Sequence, residues 1–357
     1  MTVAAVRTHR VSQPLHTPFV TALRRATTVE SLLVEVIDSD GRSGFGEAPE
    51  VWAVTGANIG GSRACVEEVL GPRLIGRDAD DLVANCRLVA RAVYGNEGAK
   101  SAVDVALHDL AARRLGVPLV RLLGGSALRI PTDVTISAGE PALLGVAAKE
   151  RLAEGFSVLK LKVGTDAAGD LARIRAVCEA AGSAATVRLD ANQGWTADEA
   201  VAVIRELEDA RVGVELVEQP TPRADRIGLA HVRAHVSTPV MADESLFDLA
   251  DLVELLRLGA VDMVNVKLTK CGGLTAALEL LDVARRHGLG LMVGSMMESH
   301  VGVGAAAALV AAVGEGCLAD LDAAWWLKES PVAGGIHYAR DRLLLPDGVG
   351  SGIGGLV

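Results

Sequence analysis

From about Thr132 onward, apolar and polar positions along the chain repeat in one pattern. Each unit has a short β-branched run that ends in a polar residue, then a turn, then an amphipathic segment rich in Ala, Leu and Arg. The runs begin roughly every 25–30 residues, which is the length of a βα unit. The pattern predicts eight strands, over Thr132–Ser137, Ser157–Val163, Thr186–Asp190, Val214–Gln219, Val240–Asp243, Val261–Leu268, Gly290–Ser295 and Cys317–Asp322.

Eight such units close naturally into a barrel of parallel strands. A doubly wound sheet is the structural alternative, but it usually carries a Gly-rich phosphate loop after its first strand. No GxGxxG occurs in such a position here. The length of 357 residues suits a barrel of ~250 residues with a smaller companion. The sequence therefore predicts an α/β fold, a TIM-type (β/α)7β barrel over residues 132–334.

Residues 1–131 do not follow this rhythm. Thr2–Arg10 and Ser31–Asp38 are predicted strands, and Asp40-Gly41 is typical of a hairpin turn. The segment Ser62–Leu115 is predicted to form helices that end before Gly116 and Pro118. We expect an N-terminal α+β capping domain, on which the Gly- and Pro-rich tail 335–357 packs back.

Two segments of this domain are predicted to be loops, Pro14–Thr28 and Ala48–Gly61. Loops of this kind either cover a barrel mouth or are ordinary surface connections. The local sequence does not decide between these two interpretations.

Composition and charge narrow the class of partner. Half of the residues are apolar but only 3% are aromatic, which predicts an aliphatic core. The net charge of −10 without a Lys/Arg block argues against a nucleic-acid partner and favours a small-molecule substrate. Five cysteines without a CxxC pair predict reduced thiols. The reduced thiols favour a cytoplasmic protein. The longest apolar run, 301–313, is too short to span a bilayer and predicts a buried helix, so we expect no membrane partner.

Carboxylates end three consecutive predicted strands, at Asp190, Glu218 and Asp243. Catalytic groups of such barrels lie at the C-terminal ends of the strands, so these side chains are expected to converge. Clustered carboxylates repel one another unless a cation joins them. An all-oxygen ligand set selects Mg²⁺, or Mn²⁺, over zinc. Three separate salt bridges to arginines are the alternative interpretation.

Lysines are rare in this chain, with seven against 28 arginines, yet three of the seven fall at strand ends. Lys160 and Lys162 lie two apart on one strand, so they share a face about 7 Å apart. A like-charged neighbour, a metal ion and burial would together lower a lysine pKa. Lys267 closes the sixth strand, across the barrel from the second. Lys270, one turn later, we interpret as a residue at a helix start rather than in the mechanism.

These residues resemble the enolase superfamily, specifically its muconate-lactonising subgroup, over nearly the whole chain. The stretches that carry the resemblance are Lys160-Leu161-Lys162-Val163-Gly164, Arg188-Leu189-Asp190-Ala191-Asn192-Gln193-Gly194-Trp195, Val217-Glu218-Gln219-Pro220, Ala242-Asp243-Glu244-Ser245 and Asn265-Val266-Lys267. Lys or His bases that work with Mg²⁺ are a known property of that superfamily.

The resemblance implies a role for each residue. It makes Asp190, Glu218 and Asp243 the Mg²⁺ ligands, and Lys162 and Lys267 the two acid/base catalysts. Lys160 would support Lys162 and the bound substrate carboxylate. The reaction implied is removal and return of the proton next to that carboxylate, through an enediolate that the metal and the lysines stabilise.

Within the subgroup, Asp320 and Asp322 resemble the pair that receives the free α-ammonium group of a dipeptide in dipeptide epimerases. A strand-end pair that caps the next segment is the alternative interpretation. Arg24 resembles the capping-loop arginine that meets the Glu side chain in Ala-Glu epimerases. Pocket-lining positions are matched by Thr135, Ser295 and Met297.

The sequence thus predicts an isomerase that epimerises the C-terminal residue of a dipeptide, with L-Ala-L-Glu to L-Ala-D-Glu as the expected conversion. An N-acylamino-acid racemase, an o-succinylbenzoate synthase or a muconate-type cycloisomerase would use the same lysines and metal. A third hypothesis is a silent barrel retained as a binding protein. The resemblance also implies a homo-oligomer.

Overall fold

The computed structural model describes residues 1–20 and 25–357. Its N-terminal domain begins with an antiparallel sheet of β1 (Val3–Val20), β2 (Arg25–Asp38) and β3 (Ser43–Pro49), in that order. Leu32, Val34 and Val36 alternate along β2 and pack on the helices, as the two-residue period of a strand requires. The predicted turn at Asp40-Gly41 joins β2 to β3, with Gly41 at φ +81°.

The helices of this domain follow the sheet. They are α1 (Ile59–Ala64), a π-helical segment (Cys65–Leu70), α2 (Gly71–Leu74), α3 (Leu82–Ala92), α4 (Glu97–Leu115) and α5 (Leu119–Leu122). The long helix α4 is buried from Gly98 to Ala112 because it lies between the sheet and the rest of the chain. It ends where the sequence predicts, at Gly116 with φ +70°, a left-handed conformation that favours glycine.

A short strand, β4 (Arg129–Pro131), leads into the barrel. The parallel strands are β5 (Val134–Ile136), β6 (Val158–Lys162), β7 (Thr186–Asp190), β8 (Val217–Glu218), β9 (Val240–Ala242), β10 (Met263–Lys267), β11 (Gly290–Gly294) and β12 (Cys317–Asp320). Each pairs with the next along the chain. Among the described residues these are the eight predicted strands, each shorter than or equal to its predicted range.

A helix follows each barrel strand but the last. These are α6 (Pro141–Ala153), α7 (Ala167–Ala181), α8 (Ala197–Asp209), α9 (Arg226–His235), α10 (Leu249–Leu258), α12 (Leu274–Arg286) and α13 (His300–Val313), with a short α11 (Leu268–Cys271) before α12. A 3₁₀ turn over Ala323–Trp326 follows β12. The predicted fold class, a (β/α)7β barrel with an N-terminal α+β domain, is confirmed.

Four short strands end the chain, one just before the C-terminal tail 335–357 and three within it. β13 (Val332–Gly334) pairs with β16 (Ile353–Leu356), and β14 (His337–Ala339) and β15 (Arg342–Leu344) join β4 in a second sheet. The tail also contacts α4, because Ser351 N donates to Asp109 Oδ1 at 2.6 Å and Arg113 donates to Ile353 O at 2.7 Å.

The prediction of a loop over Pro14–Thr28 was wrong for most of that segment. Strands β1 and β2 continue as the two arms of a hairpin, and Pro14 pairs with Thr28 and Phe19 with Ala26 across an irregularity. Proline is tolerated there because one side of β1 is a sheet edge. The hairpin reaches the barrel, since Val20 N donates to Ser137 Oγ and Val20 O accepts from Ala138 N.

Helix α13 contains the longest apolar run and is buried from Val301 to Ala311. It packs on the barrel strands and, through Val301, on Phe45 of β3. The buried helix predicted from the sequence is therefore confirmed. In the described residues, no helix is both long and apolar enough to cross a membrane.

Candidate active site

Three buried carboxylates end adjacent strands at one mouth of the barrel. Asp190 ends β7, Glu218 ends β8, and Asp243 follows β9 directly. Each residue is at most 1% exposed. Because these strands are neighbours in a parallel sheet, their side chains meet at one edge of the barrel.

Two of these carboxylates differ in pKa because their neighbours differ. Burial raises the pKa of Glu218 to about 7, and the charge of Asp190 adds to this rise. Burial acts on Asp190 in the same direction, but the ammonium groups of Lys160 and Lys162 outweigh it, so the pKa of Asp190 is lowered. Opposite charges at contact distance favour the ionised form.

Two lysines reach the same cavity from opposite sides of the barrel. Lys162 Nζ lies 2.5 Å from Asp190 Oδ2, and Lys267 Nζ lies 2.8 Å from Asp243 Oδ2. Their strands, β6 and β10, are four places apart in the order of the eight barrel strands. Both side chains line the cavity although each residue is more than nine-tenths buried.

Lys160 lies deeper than Lys162, on the same face of β6. It is 1% exposed, and its Nζ atom lies 2.7 Å from Asp320 Oδ2, 3.0 Å from Asp190 Oδ2 and 2.5 Å from Glu218 Oε2. One ammonium group therefore contacts three carboxylates of different strands. The geometry suits a residue that orients the floor of the site.

For Lys160 and Lys267, the protein groups alone raise the lysine pKa, whereas the sequence led us to expect a lowered value with a metal ion present. Burial lowers the pKa of Lys267, but the carboxylates of Asp243 and Glu218 outweigh burial and the pKa is raised. The pKa of Lys160 is also raised, because Asp190 and further carboxylates outweigh burial. A neighbouring lysine and burial do favour a lowered pKa, but the carboxylates lie closer and have the larger effect.

Asp320 and Asp322 lie side by side at the end of β12 and line the cavity. Asp322 Oδ2 accepts hydrogen bonds from Thr135 N at 2.7 Å and from Trp326 Nε1 at 2.8 Å. Burial raises the pKa of Asp320, but Lys160 and two other lysines outweigh it and the pKa is lowered. Asp320 is thus an ionised carboxylate that faces the cavity.

The cavity brings most of the predicted residues together. Its lining combines charged groups from the barrel with apolar groups from both domains, namely Phe19, Val54, Thr135, Lys162, Asn192, Asp243, Glu244, Lys267, Ser295, Met296, Met297, Asp320, Asp322 and Ala323. Phe19 and Val54 come from the hairpin and from the segment after β3, so both predicted covering segments reach the mouth. Arg24 lies outside the described residues.

The donor set at the barrel mouth fits a hard divalent cation. Asp190, Glu218 and Asp243 offer only oxygen, and Glu218 Oε2 is buried without a hydrogen-bond partner, although Lys160 Nζ lies close to it. Carboxylates buried this close together repel one another unless a cation joins them, and Mg²⁺ prefers oxygen ligands. These three residues would hold Mg²⁺.

A different cluster has the closest set of ligand-type atoms. In the described part of the chain, Cys86, Asp104 and His108 are the one group of three whose candidate atoms all lie within 4.8 Å of one another. The ligand-type atoms of the three barrel carboxylates do not all lie within this distance of one another. The cluster lies in the N-terminal domain, where Asp104 accepts from Thr275 Oγ1 at 2.6 Å, and it does not line the cavity.

Comparison with known families agrees with this architecture. Residues 3–124 match the N-terminal domain of the mandelate racemase / muconate lactonizing enzyme family, and residues 144–354 match the enolase C-terminal domain-like family. The chain belongs to the mandelate racemase / muconate lactonizing enzyme family. The superfamily inferred from the sequence motifs is thereby confirmed.

Relatives in this family include epimerases of similar length. The L-Ala-D/L-Glu epimerase of Bacillus subtilis is 39% identical over 99% of this chain and 97% of its own. Its substrate-liganded structure superposes with a TM-score of 0.97 over the whole of both chains. The Enterococcus faecalis dipeptide epimerase, solved with Mg and L-Leu-L-Tyr, is 36% identical, with a TM-score of 0.95 over 99% of each chain. This chain is an isomerase of the racemase and epimerase class.

Lys270 also contributes to the site, which its position in the sequence did not indicate. The residue does lie in the short helix α11, as expected, but it is 1% exposed. Its Nζ atom donates to Asp243 Oδ1 and Asp243 O, each at 2.5 Å. Burial raises the pKa of Asp243, but Lys267 and Lys270 outweigh it and the pKa is lowered.

Three further polar residues of the site belong to the family motifs but had no role predicted from the sequence. Asn265 Nδ2 donates to Glu218 Oε1 at 2.7 Å, and Asn192 Nδ2 donates to Glu244 Oε1 at 3.2 Å. Burial, with Asp243 next, raises the pKa of Glu244 to about 8. The sequence signal that could have identified Asn265 is the two-residue period of a strand, because Asn265 shares a face of β10 with Lys267.

Proposed function

We propose that this enzyme epimerises the α-carbon of the C-terminal residue of a dipeptide, converting L-Ala-L-Glu to L-Ala-D-Glu. The observation that carries the proposal is the placement of Lys162 and Lys267. Their Nζ atoms enter one cavity from opposite sides, each within 2.8 Å of a different carboxylate at the barrel mouth. A carbon held between them has one amine on each face.

The chemistry follows from this placement. One lysine, in its neutral amine form, removes the α-proton, and the other, as an ammonium group, delivers a proton to the opposite face, which inverts the centre. Lys160, whose ammonium group is fixed by three carboxylates, orients the site beneath the substrate. A bound Mg²⁺, held by Asp190, Glu218 and Asp243, would withdraw charge from the substrate carboxylate and so acidify the α-proton. Mn²⁺ is the alternative ion for an all-oxygen site.

The acidic pair Asp320 and Asp322 is suited to bind the free α-ammonium group of a dipeptide substrate. Asp320 and Asp322 face the cavity on the side of β12, and an ammonium donor at that place would make a charge-assisted hydrogen bond. The dipeptide assignment is supported by the names of the relatives, which include an L-Ala-D/L-Glu epimerase and a dipeptide epimerase solved with L-Leu-L-Tyr. Preference for a C-terminal Glu further rests on Arg24. The cytoplasmic location and a homo-oligomeric state stay predictions.

The proposal is tested with L-Ala-L-Glu in D₂O containing Mg²⁺. We expect L-Ala-D-Glu to accumulate, with deuterium at the Glu α-carbon in the mass spectrum. The same reaction with excess EDTA should stop, and added Mg²⁺ should restore it. No deuterium in L-Ala-L-Glu or in any of a panel of dipeptides would refute the proposed substrate class.

A further inference from the structure

The N-terminal domain places one buried carboxylate, that of Glu47, against the start of a barrel helix and outside the catalytic cavity. Glu47 lies on β3, is 2% exposed, and does not line the cavity. Its carboxylate accepts five hydrogen bonds. Oε1 accepts from Ser31 Oγ at 2.6 Å and Ser299 N at 2.9 Å, and Oε2 accepts from Ser299 N at 3.1 Å, Ser299 Oγ at 2.6 Å and Gly302 N at 2.9 Å.

The sequence around Glu47 aims this side chain at the barrel. A Cβ atom on Gly44 would lie 2.1 Å from Ala106 O, and one on Gly46 would lie 1.9 Å from Ala102 O. These two glycines therefore allow β3 to lie directly against the backbone of α4. Because side chains alternate along a strand, Phe45 and Glu47 point the other way, and Phe45 packs with Val301 of α13.

Glu47 occupies the N-terminus of α13, a 14-residue helix with Ser299 at its N-cap. The first amide groups of a helix have no partners within the helix, and the helix dipole favours a negative charge at this end. A carboxylate from the other domain thus supplies acceptors to this helix start. Glu47 is therefore a helix cap that the N-terminal domain supplies to a helix of the barrel.

The segment that this cap holds is part of the cavity wall. Only five residues, 295–299, join β11 to α13. Three of them, Ser295, Met296 and Met297, line the cavity, and Ser299 is bonded to Glu47. Displacing Ser299 would therefore displace the wall against which the substrate packs.

We infer that Glu47 is a positioning residue, through which the N-terminal domain sets the shape of the substrate pocket by fixing the segment 295–299. The inference rests on the proposed function for its substrate. It predicts an effect of Glu47 on substrate binding that exceeds its effect on the chemical step, because the segment carries pocket residues and neither lysine.

The chain offers a matched control in Asp104. This residue is also a buried carboxylate of the N-terminal domain, and it also caps a barrel helix, α12, by accepting from Thr275 N at 3.2 Å and Thr275 Oγ1 at 2.6 Å. The segment that it holds, 273–275, does not line the cavity. Both Glu47→Gln and Asp104→Asn should destabilise the fold, but only the first should alter the pocket.

The experiment combines steady-state kinetics on L-Ala-L-Glu with hydrogen exchange of the Mg²⁺-loaded proteins. For Glu47→Gln we expect KM to rise about tenfold with kcat changed less than about threefold, and faster amide exchange over residues 295–303. For Asp104→Asn we expect faster exchange over 273–277 and KM within about twofold of the parent. Equal rises in KM for both variants, or unchanged exchange over 295–303 in Glu47→Gln, would overturn the inference.

Two further arms keep the result decisive. If Glu47→Gln does not fold, Ser31→Ala removes one donor to Glu47 Oε1 and should raise KM about two- to threefold, and an unchanged KM then refutes the inference. If the parent enzyme does not act on L-Ala-L-Glu, the proposed function fails. The exchange measurement over 295–303 still decides the role of Glu47, because it needs no substrate.

Discussion

Lys270 Nζ donates to Asp243 Oδ1 at 2.5 Å from beneath the barrel mouth, while Lys267 contacts the other oxygen of the same carboxylate. Asp243 is thus held between two ammonium groups, one that faces the cavity and one that does not. The second amine fixes the carboxylate without occupying the substrate's place. This contact gives Lys270 a testable role.

Replacement of Lys270 by Met should destabilise the protein and impair the site. Removing one partner of a buried ion pair costs about 3–5 kcal/mol, and the freed Asp243 should bind Mg²⁺ with altered affinity. Urea unfolding and calorimetric Mg²⁺ titration measure both effects. Lys149→Met, at an exposed position of α6, is the control. Equal behaviour of the two variants would show that Lys270 does not hold Asp243.

Asp320 and Asp322 separate the proposed dipeptide substrate from the alternatives. The double variant Asp320→Asn, Asp322→Asn replaces both carboxyl groups by neutral amides, and each asparagine keeps an oxygen to accept the existing hydrogen bonds. A charge-assisted hydrogen bond contributes about 1.5–3 kcal/mol, so KM for L-Ala-L-Glu should rise by roughly 10- to 100-fold. The comparison substrate is N-acetyl-L-Ala-L-Glu, which lacks the ammonium group.

The ratio of kcat/KM for these two substrates distinguishes the candidate functions. The parent enzyme should prefer the free dipeptide, and the double variant should lose that preference. Indifference of the parent to acetylation, or of the dipeptide kinetics to the double substitution, would favour an N-acylamino-acid racemase, an o-succinylbenzoate synthase or a cycloisomerase instead.

Glu298 gives the folded state a dependence on pH. Burial, with the charge of Glu47 next, raises the pKa of Glu298 to about 8. The folded protein therefore keeps this proton up to about pH 8, whereas the unfolded chain releases it near the ordinary value of a glutamate. Stability from this group is present at low pH and is lost as pH rises toward 8.

Glu298→Gln removes this dependence, because the amide oxygen still accepts from Met296 N but cannot ionise. Relative to the parent, the variant should become more stable as the pH is raised from 5 to 8, as measured by urea unfolding at both values. Glu279→Gln, at an exposed position of α12, is the control. A difference between parent and Glu298→Gln that does not change with pH would contradict the raised pKa.

The fold was predictable because its signals are local. Each barrel strand is a short apolar run, and each run is followed by a helical segment, so the period alone determined the order of elements. The continuation of β1 and β2 through Pro14–Thr28 was missed because Pro14 and Pro18 are typical of a loop. Pairing with β2 and packing of His16 on Trp326 outweigh that local preference, and such pairing depends on distant parts of the chain.

The site residues that lie at the ends of barrel strands could be predicted from the sequence. Strand register alone places Asp190 beside Lys162 and Glu218 beside Asp190. Lys270 and Glu47 could not be assigned in this way, because a residue in a short helix and a residue in another domain reach the site only through tertiary packing. The raised pKa of Lys267 was missed for the same reason, since it depends on the carboxylate distances.

The central claim is that Lys162 and Lys267 act on opposite faces of one carbon. The most direct measurement follows α-proton exchange with D₂O for L-Ala-L-Glu and L-Ala-D-Glu separately, in Lys162→Ala and in Lys267→Ala. Loss of one acid/base group should slow epimerisation by about 10²–10⁴-fold. Each variant should still exchange the proton of one epimer, and the two variants should exchange different epimers. Exchange of the same epimer by both variants, or undiminished epimerisation in either, would contradict the claim.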